Sequence, residues 1–228
     1  MPATDESKFD MLKRLRIADY VTLANVLSIF SSIQGYFVAA HILIFLGYEF
    51  DRFDGIVARW RNETSELGKQ LDSLSDLVTF GLSPTVLVYS VGLNTTVDQA
   101  FLIFYVLSAV ARLARFNVAA HLVPKDAHGK ALFHVGLAIP YAALIISTSV
   151  AVSTWADSPS WGLNSTILFH GTWFEFHPAI MPLIAIGSAM ISNRLKLRVD
   201  GAIGIPAISA VIFATCWILA PYPDRTVN

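Results

Sequence analysis

DRFDGIVARWRNETSELGKQLDSLSD, residues 51–76, is the most charged stretch of a strongly apolar chain, with hydrophobic runs against both its ends. Asp51, Asp54, Gly55, Ala58 and Arg59 follow i, i+3, i+4, i+7, i+8, which predicts one face of a helix. Gly68, Asp72 and Asp76 follow i, i+4, i+8 and predict a second, with a polar turn at residues 62–65 between the two. Two such faces present four carboxylates and two glycines to one another.

Clustered carboxylates repel, and beside a membrane they are costly unless something neutralises them. A divalent cation, or a pair of them, does that best, and hard oxygen ligands favour Mg²⁺ or Mn²⁺. Gly55, Ala58 and Gly68 remove side-chain bulk from the same faces and leave room for a nucleotide or pyrophosphate near the backbone. Metals bridging phosphate oxygens, with a carboxylate to take a proton from an attacking hydroxyl, make a phosphoryl-transfer site. The competing reading is a solvated juxtamembrane face whose aspartates pair with Arg52, Arg59, Arg61 and Lys69; it leaves the matched placing of the small residues unexplained.

The pattern D-x-x-D-G-x-x-A-R-x(8)-G-x-x-x-D-x-x-x-D, met here at every fixed position, resembles the signature of the CDP-alcohol phosphatidyltransferases. That resemblance implies a membrane enzyme moving a phosphatidyl or phospho-alcohol group from a CDP-linked donor to an acceptor hydroxyl, with release of CMP. By the family pattern Asp51, Asp54, Asp72 and Asp76 bind the metal ions, and Asp76 is also the catalytic base. Gly55, Ala58, Arg59 and Gly68 line the nucleotide and diphosphate site of the donor, CDP-diacylglycerol. Two further blocks, RLARFN at 112–117 and HVGLAIP at 134–140, are similar to the phosphatidylserine synthases within that family. In the second block His134 and Ala138 stand where phenylalanine and proline are usual. The wording around the core is most similar to fungal members. The resemblance covers roughly residues 17–150 and implies L-serine as acceptor, a homodimer, and an endoplasmic reticulum enzyme.

Composition agrees with a membrane setting. Only 14% of the 228 residues are charged, against about 25% in soluble domains, and the mean hydropathy is +0.56. The fold expected is all-α, a polytopic transmembrane helix bundle of about six to seven spans with an N-terminal amphipathic helix. Its parts are a cytosolic basic N-terminus at 1–20, one membrane-embedded domain at 21–221 and a short tail at 222–228. The lone Cys216, in an apolar run, excludes a disulfide framework and a thiolate metal site. A net charge of −1 says nothing about partners, since the distribution of charge matters more, and no nucleic acid is expected among them.

Residues 21–50 are apolar around Gly35 but too short for two complete spans of ~20 residues each. They predict one long tilted helix, a broken and compressed hairpin, or a hairpin lacking a segment. Further spans are expected at 77–93 (kinked at Pro84), 99–117, 131–154 (interrupted at Pro140), 175–192 and 201–221. Lysine and arginine gather at the N-terminus, at 51–76, around RLARFN and Lys125/Lys130, and in 194–198, while loops 93–98 and 155–174 have none. The positive-inside rule then sets the aspartates on the cytosolic side.

Arg112 and Arg115, three residues apart at a membrane boundary, read either as snorkelling anchors or as an anion site for serine carboxylate or phosphate. The histidines show no ligand spacing and read as structural; His41 reads as an interhelical polar contact. Rival functions are the same chemistry on inositol or glycerol 3-phosphate, an inactive shortened form that pairs with a full-length partner, and an ion or proton transporter. Against the last, the acids cluster at one membrane face and no internal repeat is visible.

Overall fold

The computed structural model describes residues 26–61, 66–119, 133–155 and 167–198, and for residues 52–61 and 66–69 it describes the backbone. The expected N-terminal amphipathic helix, the loop at 120–130 and the last apolar segment lie outside the described residues. A first helix, α1 (26–33), closes on Gly35 at φ +80°. There the Tyr36 amide reaches back to Ser31 O at 2.8 Å, and the left-handed residue costs glycine nothing. The chain re-enters helix at once as α2 (Phe37–Arg61). Of the readings open for residues 21–50, a single long helix does not hold over the described residues 26–50, because the chain breaks at Gly35. Asp51 therefore stands on the same unbroken helix as the apolar run before it.

The second half of the motif forms α3 (Glu66–Asp76), which runs without a break into a π-helical segment, Leu77–Leu82, and then α4 (Ser83–Ser90). Pro84 is therefore the second residue of α4 within a continuous helical run, where its missing N–H leaves a carbonyl of the preceding turn to be met otherwise and the π turn beside it accommodates the ring. The Phe80 carbonyl, four residues before the proline, receives the Tyr105 hydroxyl at 2.8 Å instead. Ser83 and Thr85 hydroxyls serve Val78 O and Gly81 O at 3.0 and 2.7 Å. In an apolar surrounding each backbone polar group must be met from within the protein, and these side chains meet them.

Then follow α5 (Thr96–Ala119), α6 (Ile139–Trp155), a short 3₁₀ turn (Pro178–Ile180) and α7 (Met181–Ile191). α5 fits its expected span and, over Thr96–Val118, is the one described helix long and apolar enough to cross a membrane. The span expected from residue 131 begins later. Phe133–Val135 is a strand, β1, antiparallel to β2 (Lys196–Arg198), and the described residues are otherwise mainly helical. Pro140 lies in a first helical turn rather than interrupting a span.

α2 packs on α6 and α5 on α7, with Ile44, Phe80, Leu87, Tyr105, Leu144 and Met190 fully enclosed among them. His41 Nδ1 lies 2.9 Å from Ser147 Oγ, an interhelical bond between α2 and α6. Gly187 lets α7 close on α5: a Cβ there would meet Phe104 Cε1 at 2.7 Å.

Candidate active site

α2 and α3 bring Asp51, Asp72 and Asp76 together, with one carboxylate oxygen from each lying within 4.8 Å of the others. Asp72 is exposed, while Asp51 and Asp76 are half-buried. The i, i+4 spacing puts Asp72 and Asp76 on one side of α3, which brings both carboxylates to Asp51 on α2. Asp54, Gly55, Ala58 and Arg59 lie on the next turns of α2, and Gly68 lies one turn before Asp72 on α3. Their placement is a matter of backbone; their side chains lie outside the described residues.

Asp76 stands where the motif helix ends and the next apolar segment starts. Burial pushes its carboxyl well above the usual carboxylate range, with Asp51 and then Asp72 adding to the shift and Arg112 opposing it. Three acids crowded this way, one of them desolvated, favour a cation among them. Their hard oxygen donors suit a divalent ion such as Mg²⁺ or Mn²⁺, so the residues fit the metal that the motif implies.

The two arginines of RLARFN have different employment. Arg112 is buried, lies over the Phe116 ring at 5.4 Å, and its Nε has no hydrogen-bond partner among the described residues. A buried guanidinium beside a carboxylate cluster, with a donor to spare, is equipped to take an anion. Arg115 instead turns to the carboxyl end of α7. It donates to Met190 O and Ile191 O at 2.8 Å each, to Val135 O at 3.3 Å, and to Asn193 Oδ1. It thereby satisfies carbonyls that a helix end leaves open and ties β1 to α7.

The second block meets the first at this joint. Gly136, at φ +78°, donates to Leu195 O at 2.8 Å, and Leu137 donates to Ala189 O at 3.0 Å. A Cβ on Gly136 would lie 2.4 Å from Met190 O and 2.9 Å from Arg115 Nη2. The glycine of HVGLAIP is thus fixed by the arginine of RLARFN and by the end of α7.

One pair went unforeseen. Asn117 Nδ2 donates to Ser73 Oγ at 2.8 Å, joining the end of α5 to α3 between Asp72 and Asp76. Nothing local in the sequence marks Ser73, 44 residues away; its place inside the aspartate repeat is the only signal.

Comparison with known proteins agrees with this geometry. A family model described as CDP-alcohol phosphatidyltransferase matches residues 15–174. The chain is similar to the CDP-diacylglycerol–serine O-phosphatidyltransferase of Saccharomyces cerevisiae, 39% identical over 209 residues that cover 85% of this chain and 74% of the relative. It is 34% identical over 126 residues to the protein of the same name from Bacillus subtilis, covering 54% and 67%. It is also 32% identical over 194 residues to the archaetidylserine synthase of Methanothermobacter thermautotrophicus, covering 82% and 72%.

Proposed function

Because the chain belongs to the CDP-alcohol phosphatidyltransferase family, we propose that it moves the phosphatidyl group of CDP-diacylglycerol to the hydroxyl of L-serine, giving phosphatidylserine and CMP. The observation that carries the chemistry is the trio Asp51, Asp72 and Asp76 drawn together beside Arg112. The serine acceptor rests on the names of the relatives and on RLARFN.

Asp51, Asp72 and Asp76, with Asp54 one turn along α2, hold the divalent ions in this reading, as Mg²⁺ or Mn²⁺ and as a pair. Bound there, such ions neutralise the diphosphate and the charge that develops on the transferred phosphoryl group. The remaining work falls to the chain. Gly55, Ala58, Arg59 and Gly68 admit and orient the nucleotide end of the donor. Asp76 accepts the proton of the serine hydroxyl as its oxygen bonds to the phosphatidyl phosphorus; the bond to the CMP oxygen breaks and CMP leaves. Arg112 supplies the guanidinium for the serine carboxylate or a phosphate. Arg115, the second arginine expected there, acts on that site by holding the end of α7 and β1 in place.

The setting follows from the same reading. Residues 21–221 form one membrane-embedded phosphatidyltransferase domain of an endoplasmic reticulum enzyme, working as a homodimer, with the aspartates toward the cytosol. The run of Lys and Arg at that end, and their lack in loops 93–98 and 155–174, supports the orientation. The lipid tails of the donor stay in the bilayer while its headgroup reaches the carboxylates.

The test is CMP release from CDP-diacylglycerol by purified protein with Mn²⁺ or Mg²⁺, given serine, inositol or glycerol 3-phosphate in parallel. Release should depend on serine and on the metal. It should fall by roughly two to four orders of magnitude in Asp76→Asn with the melting temperature kept. Release with inositol alone would reject the acceptor; an active Asp76→Asn would reject the base.

A further inference from the structure

The loop that precedes α7 is more ordered than a connector needs to be. Leu168 and Phe176 exchange both backbone hydrogen bonds, at 2.9 and 3.2 Å, and close a small antiparallel turn, LFHGTWFEF. Inside it the Thr172 amide and hydroxyl both donate to Phe169 O, at 3.1 and 2.6 Å, and the Glu175 amide donates to Thr172 O at 3.3 Å. The one acid of the turn, Glu175, accepts from the Gly171 amide at 3.2 Å. These bonds hold the turn in one shape.

What the turn displays outward is aromatic. Trp173 is 93% exposed, Phe174 74% and Phe169 65%. Phe169 adopts φ +57°, a left-handed conformation that costs a bulky residue roughly 1–2 kcal/mol and that glycine or asparagine would take more readily. The strained backbone delivers an exposed ring, which packs against Phe176 with centroids 6.3 Å apart. No lysine or arginine lies between residues 131 and 193.

The turn is also bolted to the helix bundle. His177, directly after it, sets its amide 3.0 Å from Asp98 Oδ1 and its Nδ1 2.6 Å from Asp98 Oδ2, both side chains being buried. Asp98 is itself the third residue of α5, in a capping box with Thr95. The turn therefore sits at the start of α5, whereas Arg112 and the carboxylates sit some fourteen residues, about 21 Å, further along. Pro178–Ile191 gives about 22 Å of helix, short of the ~30 Å of a hydrocarbon core.

We propose that residues 168–176 are a rigid interfacial anchor that seats Phe169, Trp173 and Phe174 in the lipid headgroup region of the leaflet opposite the carboxylates. Exposed rings suit that boundary, where tryptophan and other aromatics gather. The occupant of this surface is lipid, and the His177–Asp98 bond passes the depth so fixed to α5.

The test uses the full chain in phosphatidylcholine vesicles and reads Trp173 emission as the difference between wild type and Trp173→Phe. Lipids brominated high on the acyl chain should quench most of that component, lipids brominated near the chain end should quench less, and aqueous iodide should spare it. Quenching by iodide without quenching by bromine would place the turn in water and overturn the proposal. Quenching by neither would place it under protein, another copy of the chain included, and overturn it equally. Phe174→Trp in the Trp173→Phe chain should restore the lipid-quenched component, so that a folding fault in one variant does not decide the result. Fluorescence is read whether or not CMP is released, so the enzymatic reading and the anchor fail separately.

Discussion

At the scale of single residues, Asp76 carries the sharpest consequence. Its carboxyl is raised by burial and by Asp51 and Asp72, so without metal it keeps its proton to higher pH than an exposed aspartate does. A cation must displace that proton, so affinity rises with pH and falls as pH drops through the raised value. Below it the apparent affinity should weaken by up to about tenfold per pH unit, with a proton released on binding. Mn²⁺ titration followed by electron paramagnetic resonance at two pH values checks this, and a pH-independent affinity would count against Asp76 as a ligand. The aspartates were legible because their spacing is a helix period and their chemistry is local. Arg115 was not, because its partners are carbonyls of residues 190 and 191, which have no signature in a sequence. Arg112 and Arg115 look alike on paper; only the surroundings separate a buried donor from a helix tie.

At the scale of elements, the two prolines show where periodicity stops informing. Pro84 and Pro140 read as kinks within spans because apolar residues continue on both sides of each. Pro84 instead follows a π segment within a continuous helix, and Pro140 lies in the first turn of α6 after β1 and Gly136. Apolar runs reveal burial, not where hydrogen bonding changes pattern. Tyr105→Phe deletes the donor that serves Phe80 O and should cost about 1–3 kcal/mol for a buried unmet carbonyl. Thermal unfolding in detergent measures it. Gly136→Ala should lower the midpoint further, since its Cβ meets backbone at 2.4 Å and the residue is held at positive φ. A Gly136→Ala midpoint equal to that of wild type would mean that the joint between β1 and α7 yields freely. The ribbon of β1 and β2 was not foreseen: residues 133–135 read as the start of a span, and three-residue strands are too short to show alternation.

At the scale of the molecule, the helical character was plain from composition, whereas the path of residues 21–50 was left open because length alone allows several courses. The break at Gly35 leaves α2 as one helix that carries Asp51 at the end of its apolar run. Sidedness is open to direct measurement. With Cys216→Ser as background, Gln70→Cys should react with an impermeant maleimide in sealed vesicles whose cytosolic face is outward, and Asn94→Cys only after detergent. The reverse pattern would invert the enzyme. One feature of α3 bears on how such a molecule can vary. A π segment carries about one residue more per turn than an α-helix, which rotates everything after it by about 100°. Leu77–Leu82 therefore sets the phase of α4 apart from that of Asp72 and Asp76. A residue gained or lost within 77–82 would swing α4 against its neighbours while the acids kept their aim, as a shaft slips on its key.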